Sequence, residues 1–101
     1  MKREIDGTTL TITPEKDLIR SSVAEQLSAL QDLCSEAGSV ETVVLSLRQV
    51  EAIDSDGVNL LVGVWKSCMA AGHTFHVADC PEAIQRLLSI YGLAGPFGLE
   101  L

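Results

Sequence analysis

The chain has few of the positively charged residues that bind nucleic acids and acidic membrane surfaces. Of its 101 residues, 7 are lysine or arginine and 14 are aspartate or glutamate, so the formal net charge is -7 at pH 7. Binding to phosphate backbones and to anionic headgroups depends on clustered positive charge, and no basic run occurs in the sequence. We therefore expect no nucleic-acid partner and no electrostatic attachment to a lipid surface.

Long apolar segments are also missing. The longest apolar stretch, residues 58–65, is interrupted by Asn59 and Gly63, whereas a membrane-spanning helix needs about 20 apolar residues. Residues 1–7 are polar and lack the apolar segment of a signal peptide. The sequence therefore predicts a soluble cytoplasmic protein without direct membrane insertion.

Aromatic residues are scarce. They make up 4% of the chain, whereas hydrophobic residues as a whole make up 47%. A core large enough for one domain is therefore available, but it must be built mainly from aliphatic side chains. We expect residues 1–101 to form a single domain.

The three cysteines and two histidines form no recognisable metal motif. Cys34, Cys68 and Cys80 are an odd number in a chain without a signal peptide, which favours free thiols in a reducing compartment. Cys34 and Cys68 lie on apolar helical faces and are expected to be buried. His73 and His76 are near Cys80, but the spacing is not that of a metal site. We expect no metal and no other cofactor.

Catalytic motifs are missing as well. The sequence contains no G-x-S-x-G elbow, no P-loop and no dinucleotide-binding glycine pattern. Ser55 has no matched base at a recognisable spacing, and Asp54 with Asp56 lacks the lysine pocket of a phospho-receiver site. We therefore expect no enzymatic activity.

Hydrophobic periodicity predicts the element order β-β-α-β-α-β-α. Strands are expected at residues 2–5, 8–13, 43–47 and 75–78, with helices at 21–36 and 57–71 and a third from Pro81. The connection 15–20 is expected to be polar, and the tail 92–101 to be irregular. The apolar stripes of the first and third helices are predicted to be Val23, Leu27, Leu30, Cys34 and Ala37, and Ile84, Leu87, Leu88 and Tyr91.

This order predicts an α/β fold. Strands that alternate with helices form a mostly parallel sheet with right-handed crossovers, and the Asp6-Gly7 turn adds an antiparallel hairpin at the start. The fold class is therefore a small, mixed, mostly parallel sheet with the helices packed largely on one side.

The tetrapeptide Asp54-Ser55-Asp56-Gly57 lies where the third strand ends and the second helix begins. Helix amino termini attract carboxylates and phosphates because of their free N–H groups and partial positive charge. Asp54 and Ser55 are good capping residues. The same loop is also expected to be exposed, at the edge where α/β folds place their working site.

These residues resemble the signature of the STAS family, which includes the bacterial anti-sigma-factor antagonists. The resemblance covers the apolar strand 43–47, the segment 53–61, the Asp17-Leu18-Ile19 turn, the strand around Phe75 and the segment 90–93. It implies a non-enzymatic, protein-binding domain of bacterial signalling and transcription regulation. Its partner would be an anti-sigma factor or a serine-kinase-like protein.

The chain departs from the family pattern at Asp56. In regulated members, the residue before the glycine is the serine or threonine that a partner kinase phosphorylates. Ser55 is one residue out of register with that acceptor. Asp56 therefore either imitates the phosphorylated state weakly, since a carboxylate has less charge than a phosphate, or only stabilises the helix amino terminus.

The second helix is apolar over more of its surface than one buried stripe requires. Val58, Leu61, Val62, Trp65 and Met69 form one face, and Leu60, Val64 and Cys68 occupy much of the rest. Such a helix is either buried on two sides or in contact with a partner. The expected partner-binding residues are Asp54, Ser55, Asp56, Gly57, Val58, Asn59 and Leu60.

Two other roles stay open at this point. The domain could dock on the ATPase of a lipid-transport ABC complex, or serve as an accessory module of a chemosensory pathway. The identity of the partner and the oligomeric state are not predicted by the sequence.

Overall fold

A computed structural model describes residues 2–36 and 38–99. The elements follow the predicted order: β1 (Lys2–Asp6), β2 (Thr9–Thr13), α1 (Arg20–Glu36), β3 (Thr42–Ser46), α2 (Ser55–Ala70), β4 (Thr74–Ala78) and α3 (Glu82–Ile90). Their boundaries fall within about two residues of the prediction. The predicted fold class is thus confirmed.

The four strands form one sheet in the order β1-β2-β3-β4. β1 and β2 are antiparallel and joined by a two-residue loop, in which Gly7 has a φ of 60° that glycine adopts readily. β2, β3 and β4 are parallel. Because parallel neighbours need a crossover, α1 connects β2 to β3 and α2 connects β3 to β4.

The two faces of the sheet differ in chemistry because side chains alternate along each strand. One face consists of residues that are buried together with apolar residues of the helices: Leu10, Ile12, Val43, Leu45, Phe75 and Val77. The other face, which we call the open face, is mostly polar and at least partly exposed along β4. Its members include Thr9, Thr11, Thr42, Val44, Thr74 and His76. The core is mainly aliphatic, as the composition predicts.

The connection between β2 and α1 is not simply polar, contrary to the prediction. Leu18 is fully buried and forms an isolated parallel bridge with Ile53. Two adjacent apolar residues, Leu18 and Ile19, among polar ones give neither a helical nor a strand period, so the pattern of residues 15–20 did not reveal this contact.

The carboxyl-terminal segment has no helix or strand through Leu99, as predicted, but it is packed against the sheet. Phe97 is fully buried and its ring makes edge-to-face contacts with Trp65 and Phe75, with centroids 6.1 and 5.6 Å apart. Its carbonyl oxygen accepts a hydrogen bond from Val77 N–H at 2.9 Å. The segment therefore covers the outer edge of β4.

The described parts of the helical stripes agree with the prediction except at the end of α3. Tyr91 is 52% exposed and lies beyond α3, so it does not belong to the buried stripe formed by Ile84 and Leu88. In α1, Leu30 is buried and Val23 and Leu27 pack against the core. The predicted burial of Ala37 and of the Cys34 side chain lies outside the described residues.

Candidate functional site

Asp54 caps two helices at once. Its Oδ1 accepts a hydrogen bond from Gly57 N–H at 3.0 Å, which satisfies a free donor in the first turn of α2. Its Oδ2 accepts one from Arg20 N–H, at 2.8 Å, at the start of α1. These bonds hold the pKa of the Asp54 carboxyl below its ordinary value, and the bond from Arg20 has the largest effect. Asp54 thus fixes the two helix amino termini side by side.

The segment before α1 is joined to the segment before α2 by further hydrogen bonds. Asp17 Oδ1 accepts from the N–H groups of Glu51 and Ala52 at 2.8 and 3.1 Å. Leu18 N–H donates to Ala52 at 3.1 Å, and its carbonyl oxygen accepts from Asp54 N–H at 3.2 Å. The loop that carries the tetrapeptide is therefore held by backbone contacts on one side.

Gly57 lies directly against this bridge. A Cβ atom at position 57 would collide with the Leu18 carbonyl oxygen, which is backbone and cannot move without displacing the bridge. It would also lie 2.6 Å from the Ile53 side chain. The glycine is therefore required by the close approach of α2 to the segment that precedes α1.

The structure divides the seven predicted binding residues into two groups. Gly57 is buried, and the side chains of Val58 and Leu60 are only 2% and 3% exposed, so these three face the core. The Ser55 and Asn59 side chains are exposed, and Asp54 and Asp56 are half-buried. A partner at this site would therefore meet Ser55, Asp56 and Asn59 rather than the whole tetrapeptide and following turn.

The exposed residues continue as a stripe along α2. Val62 is half-buried and Lys66 is exposed, so residues 55, 59, 62 and 66 follow one another at spacings of four, three and four on one side of the helix. Met69, in the last turn, is 57% exposed. We call Ser55, Asp56, Asn59, Val62 and Lys66 the outer surface of α2.

A groove of about 620 Å³ separates α1 from α2 beside this surface. Its walls include Val23 and Leu27 of α1 and Leu60 and Val64 of α2, while Asp56 lies on its lining. The apolar character of α2 is therefore explained in two parts. Most of its apolar residues pack in the core, and some of them line an open groove.

Cys80 and His73 have side chains of the kinds that act as nucleophiles or bind metals. Burial raises the pKa of the Cys80 thiol to about 11, so the thiolate that a nucleophile needs is scarce near neutral pH. The ring Nδ1 of His73 lies 2.7 Å from the Val40 carbonyl oxygen, in a buried position. No group of three or more His, Cys, Asp or Glu residues suited to a metal was found in residues 2–36 and 38–99.

A comparison with known domain families matches residues 1–100 to the STAS domain. The chain belongs to the STAS family. The match includes the strand–loop–helix segment around Asp54 and the bridge formed by Leu18. A search of curated proteins gives no match.

Solved structures with the same fold support this assignment. A putative anti-sigma-factor antagonist from Thermotoga maritima superposes with a TM-score of 0.83 at 24% identity, over 93% of this chain and 80% of that one. A Wolinella succinogenes protein of the sulfate transporter family gives 0.77 at 18%, over 94% and 75%. The phosphorylated Bacillus cell-fate determinant SpoIIAA gives 0.66 at 22%, over 95% and 86%. At these low sequence identities, the matches show that this chain shares its fold with all three proteins.

Sequence reasoning identified Asp54 as a cap but missed its second role and the residues around it. The bond to Arg20 N–H depends on the meeting of two segments 34 residues apart. Asp17 and Leu18 belonged to the family resemblance, but nothing in their local sequence assigns them a contact with residues 51–54.

Among the described residues, none of the helices has the length and apolar character that a membrane span requires.

Proposed function

We propose that this STAS domain is a non-enzymatic, protein-binding module of bacterial signalling that acts in the cytoplasm as anti-sigma-factor antagonists do. The proposed contact is the outer surface of α2, with Asp54 and Gly57 holding it in place. The proposed partner is an anti-sigma factor or a related serine-kinase-like protein.

One observation carries this proposal. The side chains of Ser55, Asp56 and Asn59 make no hydrogen bond or ion pair within the described part of the chain, although they lie beside a loop that the Asp54 and Asp17 carboxylates hold in place. Polar groups without an internal role, held on a rigid helix start, are suited to contacts with another molecule. The half-buried position of Asp56 next to an apolar groove gives such a contact both polar and apolar parts.

Asp56 is proposed to replace the phosphorylated residue of regulated relatives. A carboxylate has one negative charge where a phosphate has about 1.5 to 2, and it has fewer acceptor oxygens. If Asp56 imitates phosphate, Asp56→Ser removes a charge from the contact and tightens partner binding by about tenfold, which corresponds to about 1.4 kcal/mol. If Asp56 only stabilises the helix start, affinity stays the same.

Affinity capture from the native cell extract tests the binding surface. The wild-type chain and Ala83→Arg, which changes an exposed residue of α3, should retain the same partner, and Asn59→Arg should lose it. Retention by Asn59→Arg would exclude the outer surface of α2 as the contact.

The identity of the captured protein then separates the possible roles. An anti-sigma factor or serine kinase supports the proposed role. A transporter ATPase or a chemosensory protein would replace it with one of the two other STAS roles, while the contact surface would stay the same.

Phosphorylation is a separate test of Asp56. A serine kinase of this class should leave the wild-type chain unmodified at position 56, since aspartate has no hydroxyl, and should modify Asp56→Ser. Phosphorylation of the wild-type protein at Ser55 would show that the switch persists in a shifted register.

A further inference from the structure

The carboxyl ends of the parallel strands form a second, polar cleft on the open face of the sheet. It has a volume of about 320 Å³. Thr13 and Ser46 are the last residues of β2 and β3; Asp79 directly follows β4, and Arg48 is the second residue after β3. In open α/β sheets, ligands bind beyond the carboxyl ends of the parallel strands. The position of this cleft is therefore one where a ligand site is expected.

Positive charge is concentrated in this cleft. The seven basic residues are Lys2, Arg3, Lys16, Arg20, Arg48, Lys66 and Arg86, and three of them, Lys2, Arg3 and Arg48, line it. Two carboxylates, Glu4 and Asp79, line it as well. The cleft thus has one more positive than negative side chain, in a chain whose overall charge is -7.

Two of these cations form no ion pair with the described residues. Lys16 pairs with Glu25 and Arg86 with Glu82, whereas neither Lys2 nor Arg48 has an ion pair within residues 2–36 and 38–99. The Asp79 carboxylate is instead engaged by the Ser46 hydroxyl, which donates a hydrogen bond to it at 2.9 Å. Lys2 and Arg48 are therefore available to an external anion.

The cleft also contains buried hydroxyl groups. Thr13 and Ser46 are 3% and 2% exposed, and both line it. Because the Ser46 hydroxyl uses its proton on Asp79, its oxygen is left to accept a hydrogen bond. Asp79 keeps this arrangement at a φ of 51°, which is uncommon for a residue other than glycine.

We infer that this cleft binds a small phosphate monoester that also has hydroxyl groups. The phosphate would lie between Lys2 and Arg48, since a guanidinium matches phosphate oxygens with two parallel hydrogen bonds. A ligand hydroxyl would donate to Ser46. The volume exceeds what a bare anion fills and lies at the lower end of the range for small-molecule pockets, about 300 to 1,000 Å³. This site is separate from the outer surface of α2 and does not depend on the proposed partner.

Amide chemical shifts of the full chain, labelled with nitrogen-15, test the inference. Glycerol 3-phosphate should cause saturable shifts at residues 2–4, 11–13, 46–48 and 79, and inorganic phosphate should bind the same place more weakly. Glycerol, and sodium chloride at matched ionic strength, should cause no saturable shift there. Equal shifts with sodium chloride would overturn the site, and equal affinity for inorganic phosphate would overturn the role of Ser46.

Three variants test the charges of the cleft, and two of them should have effects of opposite sign. Arg48→Ala should weaken binding of glycerol 3-phosphate at least tenfold, and Asp79→Asn should tighten it severalfold because a carboxylate is removed while an acceptor for Ser46 is kept. Lys66→Ala, which removes a cation outside the cleft, should have no effect. An unchanged affinity in Arg48→Ala, with a thermal midpoint equal to that of the wild type, would contradict the proposal.

Discussion

The first two turns of α2 have an inner and an outer side that differ in what their residues do. On the inner side, Gly57 touches the Leu18 carbonyl, and Val58 and Leu60 are buried. On the outer side, Ser55 and Asn59 are exposed and their side chains have no hydrogen bond within the described chain. A motif of consecutive residues thus has an inner side that shapes the fold and an outer side that we propose is used for recognition.

The comparison predicts that the inner side dominates stability. Gly57→Ala should lower the free energy of unfolding by about 3 kcal/mol or more, because the added methyl group overlaps a backbone carbonyl that is fixed by the bridge to Ile53. Urea unfolding followed by circular dichroism measures this change.

Gly63 provides the matched control for that substitution. It is a helical glycine of α2 with open space where a Cβ would lie, so Gly63→Ala should raise the free energy of unfolding by about 1 kcal/mol. If both variants change the free energy of unfolding in the same direction and to the same extent, the close contact at Gly57 is not the reason that glycine is needed there.

Asp54 should give the next largest effect. Asp54→Ala removes the acceptor for both Arg20 N–H and Gly57 N–H and should lower the thermal midpoint by several degrees. Asp54→Asn keeps an acceptor oxygen and should lower it less. Ser55→Ala, next to the cap, is the control and should leave the midpoint unchanged.

The lowered pKa of Asp54 adds a pH dependence of known sign. The stability that its carboxylate contributes is complete above the ordinary aspartate pKa of 3.8 and is lost as the pH falls through the lowered value. The difference in thermal midpoint between wild type and Asp54→Asn should therefore shrink on acidification from about pH 6 to about pH 2. A constant difference would contradict the assignment of the charged cap.

The fold was largely predictable, and the reason lies in local patterns. Strand alternation, helical stripes and the Asp6-Gly7 turn are signals contained within a few residues. What was missed depends on distant segments: Leu18 pairing with Ile53, Phe97 packing on Trp65, and Asp54 accepting from Arg20 N–H. Likewise, the loop could be placed at the helix start, but its inner and outer residues could be separated only after Val58 and Leu60 were seen to be buried.

The outer side should have the smallest effect on stability. Ser55→Ala and Asn59→Ala should each change the free energy of unfolding by less than about 0.5 kcal/mol, as is usual for exposed side chains without partners. A loss of more than about 1 kcal/mol in either variant would mean that these residues support the fold, and the division between the two sides would fail.

The affinity of Asn59→Arg for the purified partner, measured by titration calorimetry beside its thermal midpoint, tests the central claim most directly. The account predicts that binding weakens at least tenfold relative to wild type and to Ala83→Arg while the thermal midpoint stays the same. Unchanged affinity, or a loss of affinity matched by a loss of stability, would contradict the claim that the outer surface of α2 is a recognition surface independent of the fold.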